Sequence, residues 1–135
     1  MFTHVDHLGF AVADIEEAIA FYEATFGVSN WERIELPERF MRVAAASVGG
    51  TLIELIAPTS AEAAFAKYLA ERGPGMHHVA YRVENIEAAL AELRTKGVRL
   101  IDEHPRPGLH HTLVAFVHPK AAMGVLVELV EHPTP

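Results

Sequence analysis

The sequence predicts an α+β fold built from two tandem βαβββ modules that form a curved mixed sheet. Three observations predict it. VDHLGFAVADIEEAIA, from Val5, lies over MHHVAYRVENIEAALA, from Met76, at a constant shift of 71 residues. Further along, TLIELI from Thr51 resembles VLVELV from Val125, which pairs Glu54 with Glu128. Both halves also carry the same order of parts, an apolar run, an amphipathic run and three further extended runs. Self-similarity of this kind is the mark of a repeated structural unit.

The first apolar run, VDHLGFAV, is rich in strand-forming residues. Asp14 then stands where an N-cap belongs, with Glu17 three positions on in a capping-box pattern and Glu16 in the positive first turn. Ile15, Ala18, Ile19, Tyr22 and Phe26 recur at helical spacing, and Gly27 ends the helix. Extended segments follow near 31–36, 40–48 and 50–57. Thr59, Ser60, Ala61 and Glu62 read as the cap of a linker helix over roughly 60–72, stopped by Gly73, Pro74 and Gly75. In the second half a strand from Met76 leads to a helix opened by Asn85, lined by Ile86, Ala89, Leu90 and Leu93, and closed by Gly97. Extended segments near 99–103, 112–118 and 124–131 complete it. The expected organisation is a single domain over 1–135, with module 1 at about 3–58 and module 2 at about 75–132.

Composition excludes several classes of function. A formal charge of −7 over 135 residues argues against a nucleic-acid partner, which needs a basic face to neutralise phosphates. The apolar runs are too short to span a bilayer, so no membrane partner is expected. The N-terminus lacks a basic region followed by a long apolar one, and a cytoplasmic location is the expectation. With no cysteine there are no disulfides and no thiolate metal ligands. Histidine, by contrast, occurs nine times.

Strand alternation sorts those histidines. In the first strand His7, Gly9 and Ala11 share one face, and Leu8, Phe10 and Val12 the other, which suits packing beneath a helix. In the second half His78 and Ala80 share one face, and Val79, Tyr81 and Val83 the other. His77 takes the place of Asp6 and faces away from His78, as a surface or supporting residue. Arg82 shares the His78 face, as a cation at a pocket rim or a side chain reaching to solvent. Glu54 and Glu128 sit at matching positions in otherwise apolar strands, where a carboxylate is costly unless it is paired or ligates a metal. If the halves are related by a pseudo-two-fold, His7, Glu54, His78 and Glu128 converge on a cavity. Two imidazoles and two carboxylates suit a borderline divalent cation: Co²⁺, Mn²⁺, Ni²⁺, Fe²⁺ or Zn²⁺. Four ligands in an octahedral sphere leave two places for substrate or water. His110 and His111 follow a Pro/Gly turn and read as loop residues, and His118-Pro119-Lys120 reads as a turn before the last strand.

These segments resemble the vicinal oxygen chelate superfamily of glyoxalase-like proteins and, within it, the methylmalonyl-CoA epimerase family. VDHLGFAVADIEEAIAFYEATFG, IELIAP, GMHHVAYRVENIEAAL, PRPGLHH and HPKAAMGVLVELVE carry the resemblance, which spans nearly the whole chain. The resemblance implies metal ligands at His7, Glu54, His78 and Glu128, with Co²⁺ the foremost candidate. It implies an acyl-CoA substrate, inverted at its α-carbon after the thioester and carboxylate oxygens chelate the cation and an enolate forms. It also implies Glu128 as one proton-transferring base, contact of His110 with substrate and of Lys120 with a CoA phosphate, and a homodimer. Such an enzyme would serve propionate metabolism.

One stretch departs from the family pattern. Members commonly carry Glu-Gln-Gly before the third strand, and one type has a glutamate base just after it. This chain reads PERFMRVAAA, with Arg39 and Phe40 at the Gln-Gly places and Val43 about where that glutamate would fall. The second base therefore stays open, with Glu38 nearby in sequence. The alternatives to methylmalonyl-CoA epimerisation are an ethylmalonyl-CoA epimerase, a glyoxalase-like lyase or isomerase, and a non-enzymatic small-molecule binding protein of the same fold.

Overall fold

The computed structural model describes residues 1–134. The chain forms two compact units, one of Leu8–His77 and one joining Met1–His7 to the segment from His78 onward. Strand β1, His4–Ala11, runs from one into the other.

In the unit of Leu8–His77, helix α1 (Ile15–Phe26) follows β1, and strands β2 (Glu32–Leu36), β3 (Met41–Val48) and β4 (Thr51–Pro58) follow the helix. β2, β3 and β4 pair antiparallel in sequence order. Val12 N–H donates to the Ile56 carbonyl at 2.8 Å, tying the end of β1 to β4. Helix α1 begins where Asp14 accepts a hydrogen bond from Glu17 N–H, and ends at Gly27, whose φ of 69° lies in the left-handed region that glycine enters without strain. Its Ile15 and Ile19 are buried against Ala44, Ala46, Leu55, Ala57 and Trp31, with Phe10 and Val12 packed alongside. That cluster fixes one face of the strands as the helix side. Phe26, expected on the buried stripe, is instead 62% exposed, because the helix ends there and its ring packs edge-on to Phe21 and Tyr22.

The linker helix is shorter than the sequence suggests. Helix α2 covers Ala66–Arg72. The segment before it is spent on turns: Glu62 N–H donates to Ser60 Oγ at 3.1 Å, and Ala63 N–H reaches the Ser60 carbonyl. A serine that bonds its own neighbouring backbone offers an alternative to the helix ladder. Ala63 and Phe65 are then buried beyond that turn.

The other unit carries β5 (Gly75–Arg82) from His78 on, helix α3 (Ile86–Thr95), and strands β6 (Arg106–Pro107), β7 (Leu113–Val117) and β8 (Val127–Glu131). β5 and β8 are parallel, while β8, β7 and β6 pair antiparallel in turn. Thr3 N–H donates to the Arg82 carbonyl at 2.9 Å, which brings the start of β1 beside the end of β5. Helix α3 is capped by Asn85, which accepts from Ala88 N–H, and by Glu131, whose Oε1 accepts from Ile86 N–H at 2.8 Å. Its Ile86, Ala89 and Leu90 are buried with Val83, Ala115 and Leu129. The extended segment expected near 99–103 is only an isolated bridge between Leu100 and Val117, and paired strand forms later, at Arg106–Pro107. Asp102 explains the break: its Oδ2 accepts Phe116 N–H at 2.8 Å, so a side chain takes the donor that a strand neighbour would use.

Leu55 and Leu90, both 0% exposed, are the fixed points of the two helix-facing cores. Each Leu→Ala change is expected to cost about 2–5 kcal/mol, and Asp14→Ala about 1 kcal/mol, as read from urea unfolding midpoints at constant slope.

Candidate metal centre

His7, His78 and Glu128 belong to one unit and meet on one face of its strands. Ala80 on β5 and Phe116 on β7 both lie directly opposite Glu128 on β8. Opposed residues rise on the same face, as do residues two apart along a strand. His78, two before Ala80, therefore shares that face, and its ring meets Phe116 edge-on at 6.1 Å between centroids. Alanine at position 80 leaves the volume that the Glu128 side chain needs. Ala80 itself packs with Val114 and Val130 in a small apolar cluster.

The three polar groups are close and nearly dry. His7, His78 and Glu128 are 8%, 5% and 7% exposed. His7 Nε2 lies 3.2 Å from His78 Nε2 and 2.8 Å from Glu128 Oε2, and His78 Nε2 lies 3.9 Å from the same oxygen. The imidazole planes are nearly perpendicular, at 88°. Glu128 Oε2 is buried and accepts no hydrogen bond.

The reason lies on the far side of the His7 ring. His7 Nδ1 donates to Asp6 Oδ2 at 2.7 Å. The other Asp6 oxygen, Oδ1, accepts from His132 Nε2 at 2.5 Å and from Arg82 Nη2 at 3.5 Å. Burial works to raise the Asp6 pKa, but hydrogen bonds from His7 and His132, and then their charges, outweigh it and bring it down to about 2. Asp6 is therefore an ionised acceptor. A neutral imidazole that gives its one proton to such an acceptor through Nδ1 presents a bare lone pair at Nε2.

That lone pair faces a carboxylate oxygen with no proton to accept and a second imidazole nitrogen. Acceptor atoms gathered in a buried place repel unless a proton or a cation sits among them. Cis donors around an ion with bonds of about 2.0–2.2 Å stand about 3 Å apart, close to the separations of 2.8 and 3.2 Å, while the third pair, at 3.9 Å, is wider. The donor set of imidazole nitrogens and carboxylate suits a divalent first-row transition ion.

The other residues singled out in the sequence are described by their own strands and turns. Glu54 is buried on β4, directly opposite Ala45 on β3, on the face away from Leu55 and helix α1. Like Glu128, it thus has an alanine beside it across the sheet. His77 packs its ring against Phe65 and Tyr68, and burial lowers its pKa. His110 is exposed on the turn Leu109–His111, with a left-handed φ of 55°. Lys120 is exposed on the turn Pro119–Ala121, which His118 stabilises by accepting Lys120 N–H at Nδ1, 3.1 Å away. Val43 is 1% exposed between Ile34 and Ile56, and Glu38 is exposed. Among the described residues no helix is long and apolar enough to cross a membrane.

Sequence reasoning gave Asp6 and His132 no role, and it left Arg82 undecided. Asp6 carried a faint signal, an acid in an apolar strand next to a candidate ligand. His132 carried none, being 126 residues from Asp6 in the chain.

This fold and site define a class. The chain belongs to the glyoxalase/bleomycin resistance protein/dioxygenase superfamily, whose family model matches residues 6–116. Human mitochondrial methylmalonyl-CoA epimerase is 38% identical over 126 residues, covering 93% of this chain and 72% of that protein. The ethylmalonyl-CoA/methylmalonyl-CoA epimerase of Cereibacter sphaeroides is 36% identical over 132 residues, covering 96% and 98%. Among solved structures, a Streptomyces coelicolor methylmalonyl-CoA epimerase in complex with 2-nitronate-propionyl-CoA is 34% identical, with a TM-score of 0.92 over 99% of this chain and 100% of that one. Within the superfamily, the chain falls in the methylmalonyl-CoA epimerase branch.

The placement of the two adjacent histidines gives a direct test. His78→Ala is expected to lose a bound Co²⁺ ion on gel filtration after loading, while His77→Ala retains it at the wild-type ratio. Loss from His77→Ala alone would reverse the assignment.

Proposed function

We propose that this protein is a divalent-metal-dependent epimerase that interconverts (R)- and (S)-methylmalonyl-CoA. The observation that carries the proposal is the buried Glu128 Oε2, which accepts no hydrogen bond and lies 2.8 Å from His7 Nε2. An acceptor held in that state is suited to bind a cation and to take a proton. The family relationship supports the same reading, since the human and Cereibacter relatives are epimerases of this substrate class.

The proposed ligands are His7, His78 and Glu128, with Glu54 as the fourth. Glu54 is proposed on its place in the repeat, its burial in an apolar strand and the alanine that flanks it. Co²⁺ is the proposed ion, with Mn²⁺, Ni²⁺, Fe²⁺ and Zn²⁺ able to use the same donors. When bound, a divalent cation supplies Lewis-acid stabilisation of negative charge on the substrate oxygens it meets. Glu128 is the proposed acceptor of the α-proton on one face of the acyl carbon. A proton delivered to the opposite face completes the inversion, so one proton leaves, one returns, and no co-reactant is consumed. Position 43 cannot deliver it, because a buried valine has no proton to give. His110 and Lys120, both on exposed turns, are proposed to meet the substrate, Lys120 as the cation for a CoA phosphate. The proposed assembly is a homodimer, and the proposed setting is propionate metabolism.

Methylmalonyl-CoA incubated with the metal-loaded protein in D₂O is expected to take up deuterium at C2, read by NMR, and ethylmalonyl-CoA to do so more slowly. Exchange no faster than in a metal-free control would reject the epimerase. Glu128→Gln should lower the exchange rate by about 10²–10⁴-fold, the usual worth of a general base. Exhaustive chelation should abolish exchange, and Co²⁺ or Mn²⁺ should restore it. Undiminished turnover with metal loss confirmed by elemental analysis would exclude a catalytic ion.

A further inference from the structure

We infer that Asp6 is the positioning residue of the metal centre, and that His132, near the C-terminal end of the chain, holds Asp6 for that task. The inference rests on the metal reading proposed above and assigns to that site two residues outside the ligand set.

The geometry is specific. Asp6 is 8% exposed and uses both carboxylate oxygens. Oδ2 accepts the His7 Nδ1 proton at 2.7 Å, and Oδ1 accepts from His132 Nε2 at 2.5 Å. Arg82 Nη2, at 3.5 Å from Oδ1, adds a third donor. The carboxylate therefore cannot rotate without breaking bonds on its other side, and the His7 ring is held at one angle with one tautomer. Outer partners of this kind keep the ligating nitrogen unprotonated and raise its basicity.

The repeat makes the arrangement one-sided. His77 occupies the position equivalent to Asp6 and packs against Phe65 and Tyr68. A histidine in an aromatic surround, neutral or protonated, cannot serve as an anionic acceptor. The two ligand histidines, equivalent in the repeat, thus differ in the residue that precedes them. His7 is the one tied to a carboxylate next door, and through it to residue 132.

The test uses Co²⁺ alone as the probe on Asp6→Asn, His132→Ala and the double variant. Asp6→Asn is expected to weaken Co²⁺ binding about 10–100-fold. His132→Ala, a change at a half-exposed position, should weaken it less, and should add nothing in the Asp6→Asn background. A second readout needs no metal: ¹⁵N NMR of the His7 ring in the apoprotein, where the wild type should show the Nδ1–H tautomer and Asp6→Asn an increased share of Nε2–H. Co²⁺ binding by Asp6→Asn within twofold of wild type would overturn the inference, as would an Nε2–H tautomer in the wild type. A wild type that takes up no Co²⁺ sinks the metal reading instead, and the tautomer measurement still decides whether Asp6 sets the His7 ring.

Discussion

A carboxylate oxygen that is buried, accepts no hydrogen bond and faces an imidazole lone pair is the constraint on which the rest of this structure turns. Glu128 Oε2 and His7 Nε2 are 2.8 Å apart, and both are acceptors when His7 gives its one proton to Asp6. A proton or a cation between the two atoms relieves the repulsion. His7 can take a second proton and become a cation, or a metal ion can stand in for that proton. An imidazolium donating to Asp6 on one side and Glu128 on the other would pair with both carboxylates. Its one Nε2–H would then be shared between Glu128 and His78 Nε2, 3.2 Å away, and one imidazolium proton cannot serve two acceptors well. A divalent ion satisfies all three atoms at once, and this is why the donor set reads as a metal centre more readily than as an ion-pair network.

The scaffold reaches this arrangement by simple means. A strand offers alternate faces, so each central strand can feed a helix-side core and a polar site together. Leu129, one residue from Glu128, lies in the core under helix α3, and Leu55, one residue from Glu54, lies in the core under helix α1. The neighbours of the glutamates on the other face, Leu55 and Leu129, are fully buried and anchor the strands there. The alanines across from them, Ala80 and Ala45, provide room. Enlarging either alanine would push on the carboxylate beside it.

Much of this was legible in the amino-acid sequence. The 71-residue offset exposed the duplicated order of elements, and the caps at Asp14 and Asn85 placed two helices correctly. What was illegible had one physical cause, side chains competing with backbone for hydrogen bonds. Ser60 turned expected helix into turns, and Asp102 took the donor of a strand that then formed further on. At the site, alternation sorted His7 from Leu8 and His78 from His77 because it is a local rule. Alternation also turned attention away from Asp6, since it speaks of where Cβ points and not of where a carboxylate curls back to. The Asp6–His132 bond joins residues 126 apart and leaves no periodic trace.

Duplication explains the paired histidines and glutamates but not the unequal residues around them. A symmetric pair of modules would surround each imidazole alike, whereas the reaction proposed is itself asymmetric, removing a proton from one face of a carbon and returning one to the other. The halves differ where that asymmetry can be expressed: aspartate before His7 and histidine before His78, and the His132 imidazole on one side only. Position 43 diverges too. There a valine fills the space between Ile34 and Ile56, so the strand keeps its apolar contacts and contributes no acid. If the second proton does not come from β3, another part of the fold has to supply it. The turns carrying His110 and Lys120 suit that role, being exposed and outside the packed strands, where a side chain can move at little cost to the core.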